Sequence, residues 1–499
     1  MKIIFNYILL GFVFLVSGCT KFVNAGLPDN KLAATTVFSS DATALGAMTG
    51  LYASLTSNTL LMTAWSVMPA MSADELVNYS TNAGTVQVYS NSISTSTSSN
   101  TTDYLWNYGY QAIYIANAAL AGAQQSVSLS APVAAQVEGE AEFMRAFFYF
   151  NLVNEFGGVP LVTTTDYQTN MAIKRSSVAA VYTQIIADLT DAAGKLTDGY
   201  LDGNGVTTNE RIRPNKGAAQ ALLSRVYLYN GDWASADSLA GIVIANSGEY
   251  SLVTDLNSVF LANSNEAIWQ IQPAGVGGEE TPEGTWYVLS SNPSASSTVT
   301  GGKIAALSPA FLNAFEPGDN RMTDWVDSIT DHTTSPATTY YFPFKYKIGD
   351  YGNATVTEYS MELRLAEQYL IRAEARIREG QVDAGIADLN VLRARARAAA
   401  TVAVPNPLPA LAMGLSKTAA LTALVHERRI ELFSEGGHRW FDLKRMAGLV
   451  NPLGSLADEV MPAATAAKGG SWSDNWELYP VPLTEMTSNV DLVQNPGYE

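Results

Sequence analysis

A single cysteine stands in the 499 residues, at position 19, and only three histidines accompany it, His332, His426 and His438. One cysteine allows no intramolecular disulfide and offers a thiol at one place alone. Three scattered histidines are too few for most imidazole metal sites. His426-Glu427 opens like a zinc-protease helix, but Ile430 stands where the second histidine is required. Charge is sparse as well: 15% of residues, 29 basic against 47 acidic, for a net charge of -18. That balance argues against nucleic acid or an anionic lipid surface as partner, because both reward clustered Lys and Arg. Also lacking are a Gly-x-Ser-x-Gly elbow, a phosphate loop and, after the first nineteen residues, any apolar run long enough to span a bilayer. Asp74-Glu75 and Glu279-Glu280 are paired acids by position only, and read as solvated loop. Asp202-Gly203-Asn204-Gly205 carries Val206 and Arg213 where a calcium loop needs ligands, so it reads as a turn. Nothing in this inventory names a nucleophile, a base, a metal or a cofactor; the chain reads as no enzyme.

What is present begins at the first residues. Lys2 precedes an almost wholly apolar stretch, Ile3 to Val16, closed by Ser17-Gly18-Cys19. A positive start, a short apolar run and small residues before a cut describe a secretory signal, expected over residues 1–18. Cys19 directly after those small residues looks like a bacterial lipoprotein processing site, with a lipidated thiol and an acylated amine at the new N-terminus. Several acyl chains anchor a protein stably where one does not. Residues 19–36 then read as a lipidated tether, leading to a body whose 47% hydrophobic content is ample for a large core.

Helical periodicity starts at Ser39 to Leu55, with Asp41 as its N-cap. Residues 60–100, rich in Ser, Thr and Asn, read as a long loop. Helices follow over Asp103–Ala123, Pro132–Glu155 and residues 178–195. From Gly217, the residues Leu223, Ser224, Tyr227, Gly231 and Ala236 fall at the large, small, aromatic, turn and small positions of a tetratricopeptide repeat. A second degenerate copy starts at Ala366, with Tyr369, Ala373, Gly380 and Gly385. Two copies so far apart predict helix pairs stacked in space, not a continuous solenoid. Between them, residues 248–360 are rich in Gly, Pro, Ser and Thr and carry short β-like runs, Ala267–Ile271 and Tyr340–Tyr346. The expected division is therefore a helical part over 37–247, an irregular insertion over 248–360 and a helical part with tail over 361–499. The last helices are expected at Thr418–Ser434 and His438–Met446.

Four stretches carry a resemblance over essentially the whole chain: Glu138 to Phe150 running on to Phe156-Gly157-Gly158-Val159-Pro160-Leu161; Leu365 to Ala375 with Asn390, Leu392, Arg393, Arg395 and Ala396; Glu427 to Arg445; and Leu478-Tyr479-Pro480-Val481-Pro482 with Gln494 to Tyr498. In these the chain resembles the SusD/RagB family of Bacteroidetes outer-membrane lipoproteins. The resemblance implies a mainly α, SusD-like fold in which tetratricopeptide-like helix pairs support a loop-rich binding region with a few short strands. It also implies a SusC-like, TonB-dependent barrel as partner and a lipid-anchored place in the outer membrane, facing the exterior. The implied role is capture of oligo- or polysaccharide and delivery to the barrel. Peptide capture, as in RagB-like members, and a structural lid without its own ligand are the alternatives.

The charged residues of the third stretch, Glu427, Arg428, Arg439 and Asp442, read as an ion-pair scaffold. Sugar rings offer apolar C–H faces and a hydroxyl rim, so aromatic platforms beside amides and carboxylates suit them. Trp65, Tyr79, Tyr89, Trp286, Tyr287 and Trp325 lie outside the helical periodicity. Of these, Trp286-Tyr287 and Asn78-Tyr79 are the expected ligand-binding positions, since function concentrates on loops. Trp106, Trp233, Trp440, Trp472 and Trp476 read as core or scaffold.

Overall fold

The computed structural model describes residues 34–56, 59–95, 102–273, 281–293, 303–349 and 356–498. Cys19, the expected signal and most of the tether lie outside the described residues, as do Glu279 and Glu280. The molecule is mainly helical, and its elements are named here in chain order.

The N-terminal part comprises α1 (Asp41–Thr56), α2 (Thr59–Ser72), β1 (Leu76–Asn78), α3 (Ala83–Tyr89), α4 (Asp103–Gln125), α5 (Ala131–Phe156) and α6 (Val178–Lys195). In α4 the buried residues Leu105, Trp106, Gly109, Ala112, Ile113 and Ala116 recur at three- and four-residue steps, the stripe of an amphipathic helix. That stripe packs on α5, whose residues from Val137 onward are buried almost all round. α5 is thus the central helix, covered on another flank by α6. Its buried charges are matched. Arg145 meets Asp188 of α6 through two bonds of 2.8 and 2.7 Å and donates to Asn117 of α4 at 2.8 Å. Glu140 accepts from Arg213 at 3.0 and 2.9 Å and from the Tyr52 hydroxyl at 2.9 Å. Buried charge is tolerated only when paired in this way.

Two helix pairs follow, α7 (Lys216–Asn230) with α8 (Trp233–Ala245), and later α10 (Leu365–Arg378) with α11 (Val382–Ala396). They stack through α8 and α10, where Leu228, Ala236, Ala240, Ile371 and Ala375 form a buried cluster of their own. Small residues permit the close crossing, as the repeat spacing predicts. At Gly385 a Cβ would lie 2.5 Å from the Ile377 side chain and 2.7 Å from the Ala373 carbonyl, so no larger residue fits there.

Between the pairs run β2 (Ala267–Ile271), the short helix α9 (Pro282–Tyr287), β3 (Ala305–Leu307), β4 (Val326–Asp331), β5 (Thr338–Pro343) and β6 (Ser360–Arg364). These strands pair antiparallel in two-stranded ladders, β1 with β3, β2 with β6 and β4 with β5, and Tyr200–Leu201 with Thr207–Thr208 forms a further such ladder. The C-terminal part adds α12 (Lys417–Glu431), α13 (His438–Arg445), α14 (Leu456–Ala467) and α15 (Leu483–Ser488). One apolar core runs from Phe38 to Tyr498 and takes residues from every part of the chain.

Charge binds these parts together. Arg364, where β6 turns into α10, reaches Glu266 at 3.0 Å, Glu431 at 2.7 Å and Glu435 at 2.7 Å. Arg321 meets Asp319 at 2.8 Å, Glu427 at 2.6 Å and Glu431 at 2.8 Å. Arg428 holds Asp442 at 2.6 Å, and Arg445 joins Asp442 to Glu374 at 2.7 Å each. The charged stretch 427–445 is a buried ion-pair scaffold, as its residue types suggest.

The segment 60–100 departs from expectation. Most of it is α2, β1 and α3, not loop. Trp65 from α2 is buried against Phe147 and Phe148 of α5, at centroid distances of 5.4 and 5.6 Å. Tertiary packing of that apolar face overrides the Ser- and Thr-rich composition around it. Asp41 is the first residue of α1 and not its cap; its carboxylate accepts from the backbone and hydroxyl of Ser130 at 2.9 and 2.7 Å. The tail from Leu478, whose Pro480, Pro482 and Pro496 suggest ordered loop, contains α15.

Candidate ligand-binding site

β1 and β3 pair in the register Leu76↔Leu307, Val77↔Ala306 and Asn78↔Ala305, and the Tyr79 amide extends the ladder to the Ile304 carbonyl at 2.7 Å. Leu76 is buried, and the chain leaves the core from Val77 onward, with Asn78 and Tyr79 half-buried. The Asn78 side chain is used locally: its Nδ2 donates to the Ser80 carbonyl at 3.0 Å, and the Ser80 amide donates to its Oδ1 at 2.9 Å. This side-chain turn fixes the direction of Tyr79.

Two further tyrosines converge there. Tyr340 comes from β5, where Phe342 on the same face is buried and anchors the strand while Tyr340 remains half-buried. Its ring meets Tyr79 edge to face, centroids 5.3 Å apart and planes at 85°. Tyr89 ends α3, whose N-terminus is capped by Asn82 accepting from the Thr85 amide. Burial raises the Tyr89 pKa, and the adjacent Asn78 backbone works against that. Burial, with the neighbouring Tyr340 and Tyr89 phenols, also raises the Tyr79 pKa.

The floor beneath is rigid and charged. Lys468, just past α14, donates to the Met71 carbonyl at 2.8 Å, to that of Ser72 at 3.1 Å and to that of Ala73, closing the C-terminal end of α2. Its ammonium also lies 4.9 Å from the centre of the Tyr89 ring. Burial pulls its pKa down to about 7. Asp74, immediately before β1, is buried. Burial opposes its ionisation, but the Arg439 and Arg429 guanidiniums outweigh that and hold its carboxyl well below the usual range. Arg439 binds it at 2.7 and 3.0 Å, Arg429 at 2.8 Å. Glu75 is buried beside it, and desolvation plus the Asp74 charge push it up to about 8. This pair is a strut inside the protein, not a solvated loop.

Trp286 and Tyr287, expected as an exposed platform, are 3% and 4% exposed. They lie on α9, opened by Thr281 accepting from the Gly284 amide, and α9 packs against α2. The Tyr287 hydroxyl donates to the Ser66 carbonyl at 3.4 Å. The helix sits so close to the following chain that a Cβ at Gly284 would be 2.1 Å from the Ile348 carbonyl oxygen. Gly284 therefore marks tight packing and not an open loop, and the aromatic pair behind it belongs to the core. Trp325, likewise outside the helical periodicity, is fully buried.

Of the expected positions, Asn78 and Tyr79 remain at the surface, and Tyr89 joins them. Tyr340 is the residue that sequence reasoning passed over. Its signal was the Tyr340-Tyr341 doublet that follows Thr338-Thr339 in a β-like run. The half-buried rings of Tyr79, Tyr89 and Tyr340 form an uncharged aromatic surface, which can stack on apolar ligand faces and hydrogen-bond through its hydroxyls.

Comparison with known proteins gives a consistent result. A SusD-like family described as "Starch-binding associating with outer membrane" matches residues 27–228, and the SusD family in its SusD/RagB form matches residues 314–498. "SusD-like protein P2" of Formosa agariphila is 26% identical over 435 residues, covering 79% of this chain and 80% of that protein. A SusD superfamily protein from Bacteroides vulgatus has the same fold, with a TM-score of 0.73 at 21% identity over 92% of this chain and 99% of that one. So does a "Laminarin binding SusD-like protein", with a TM-score of 0.68 at 24% identity over 91% and 99%.

Proposed function

Since the chain belongs to the SusD/RagB family, we propose that it is a glycan-capturing surface protein whose binding site is the tyrosine cluster Tyr79, Tyr89 and Tyr340, with Asn78 holding Tyr79 in place. The single observation that carries this reading is the convergence of three half-buried tyrosines, from β1, α3 and β5, on one uncharged surface. The cations beneath the rings are committed to the protein, Lys468 to three carbonyls and Arg439 and Arg429 to Asp74, which favours neutral oligo- or polysaccharide over acidic ligands. Capture requires no bond to be broken. Asp74 is engaged by Arg439 and Arg429 and Glu75 is buried beside it, so neither is in position to act on a surface-bound sugar.

In this reading Cys19 is lipidated and ties the protein to the outer membrane, facing outward, beside a SusC-like TonB-dependent barrel that receives the glycan. The family description and the laminarin-binding neighbour support saccharide over peptide as the cargo. Native electrophoresis through gels containing laminarin, starch or other neutral polysaccharides tests it. Retardation by one polysaccharide, lost in Tyr79→Ala or Tyr340→Ala, is the expected result. Retardation that both substitutions leave intact would remove the site, and no retardation by any glycan would remove the reading.

A further inference from the structure

A second aromatic surface lies on different elements from the tyrosine cluster. It is a groove of about 500 Å³ between α4, the segment after Pro160 and the α15 region. That volume falls in the range of ligand sites. Tyr110 and Tyr114 sit one turn apart on α4, about 6 Å along the axis. Across the groove stands Tyr167. Tyr167 and Tyr114 are 73% and 53% exposed, the most exposed tyrosines among the described residues. Exposed aromatic area of this kind usually marks a binding surface.

The polar groups are equally informative. Along this wall the main chain is already engaged. The Pro160 carbonyl accepts from the Tyr110 hydroxyl at 2.7 Å, the Val162 carbonyl from Tyr149 at 2.8 Å and Asn117 at 3.0 Å, and the Ile173 carbonyl from Asn489 at 2.9 Å. An extended peptide would find few backbone partners here. Asn170 on the lining is used locally, donating to the Thr164 carbonyl at 2.8 Å. Spare capacity resides in a side chain instead. Glu485, half-buried beside Trp106, offers carboxylate acceptor capacity to the groove. It is also the only charged residue on the lining. Aromatic faces with a carboxyl group at their edge match a sugar's apolar face and hydroxyl rim.

We propose that this groove is a second saccharide-binding site, which holds a short stretch of the same neutral glycan chain through Tyr114 and Tyr167, with Glu485 meeting its hydroxyls. The proposal rests on the reading of the cargo as glycan. Two sites on one chain raise retention of a polymer well beyond that of a short oligosaccharide, because the second contact is intramolecular.

The test uses the purified protein with laminarihexaose, maltohexaose and cellohexaose in calorimetric titrations, and laminarin and starch in affinity gels. The expected stoichiometry is two oligosaccharides per chain. Tyr114→Ala/Tyr167→Ala should bring it to one and weaken polymer retention about tenfold or more, while Tyr114→Phe/Tyr167→Phe keeps both. These side chains are exposed, so the fold tolerates their loss. A stoichiometry of one, abolished by Tyr79→Ala/Tyr340→Ala and untouched by the groove variant, overturns the second site and leaves the first. Binding lost only in the groove variant keeps the groove and overturns the first. Absence of binding by any glycan overturns both.

Discussion

The ring of Tyr79 stands edge-on to the ring of Tyr340, 5.3 Å between centroids, although the two residues come from strands that do not pair with each other. Each is positioned by a short strand anchored in the core, Tyr79 just after Leu76 of β1 and Tyr340 beside Phe342 on the same face of β5. The contact is therefore positional, and it gives the first prediction. Tyr79→Ala and Tyr340→Ala should each weaken glycan binding by about 1–2 kcal/mol, roughly tenfold. Unfolding temperature should shift little, because both rings are half-exposed. Affinity electrophoresis beside thermal unfolding checks both statements.

Trp286→Ala should behave in the opposite way. Removing a buried indole leaves a cavity and costs about 3–5 kcal/mol. The expected outcome is a lowered unfolding temperature, with near-normal binding by whatever remains folded. A folded variant of unchanged stability that no longer binds glycan would contradict the burial described for α9.

Asp74 and Arg439 should be strongly coupled. Asp74→Asn strips the charge from a buried pair and should cost about 3–5 kcal/mol. In a double-mutant cycle with Arg439→Met, the combined loss should be clearly smaller than the sum of the single losses, read by denaturant unfolding.

Glu75 should make stability depend on pH with a definite sign. Its carboxyl titrates near 4.5 when unfolded and about 8 in the fold. Below 4.5 both states are protonated and the fold bears no penalty. Between those values the folded state holds a proton that the unfolded state has lost, so stability falls as pH rises, by about 1.4 kcal/mol per pH unit for this group. Glu75→Gln should flatten the decline between pH 5 and 7.5, measured as the denaturant midpoint at each pH.

Cys19→Ser should release the protein from the membrane fraction of expressing cells, if the lipoprotein reading holds. Unchanged membrane association in that variant would exclude lipid at this residue as the anchor.

Much of the helical frame was legible because it is periodic. Residues 178–195 form a helix over that very span, and the Ala236, Gly231 and Gly385 spacing predicts the packed pairs. Local cues failed where burial is decided by distant partners. Nothing near Trp65 announces that Phe147 and Phe148 will cover it, and Gly284 reads as a loop signal until the Ile348 carbonyl is placed above it. The tyrosine cluster was half visible for the same reason. Tyr79 and Tyr89 lie close in sequence, whereas Tyr340 reaches them only through the fold.

The contact of α8 with α10 also sets an order of events for the growing chain. Ala236 and Ala240 are finished long before Ile371 and Ala375 exist, and of the earlier elements only α7 contributes to that small cluster, through Leu228. During synthesis the first helix pair must therefore wait with much of this face uncovered, while the whole intervening segment follows. Closure over so long a stretch is slow, and an apolar face left open in the meantime invites association with other chains. The stacked pairs that support the binding region are thus also the point at which this protein most depends on reaching its full length undisturbed.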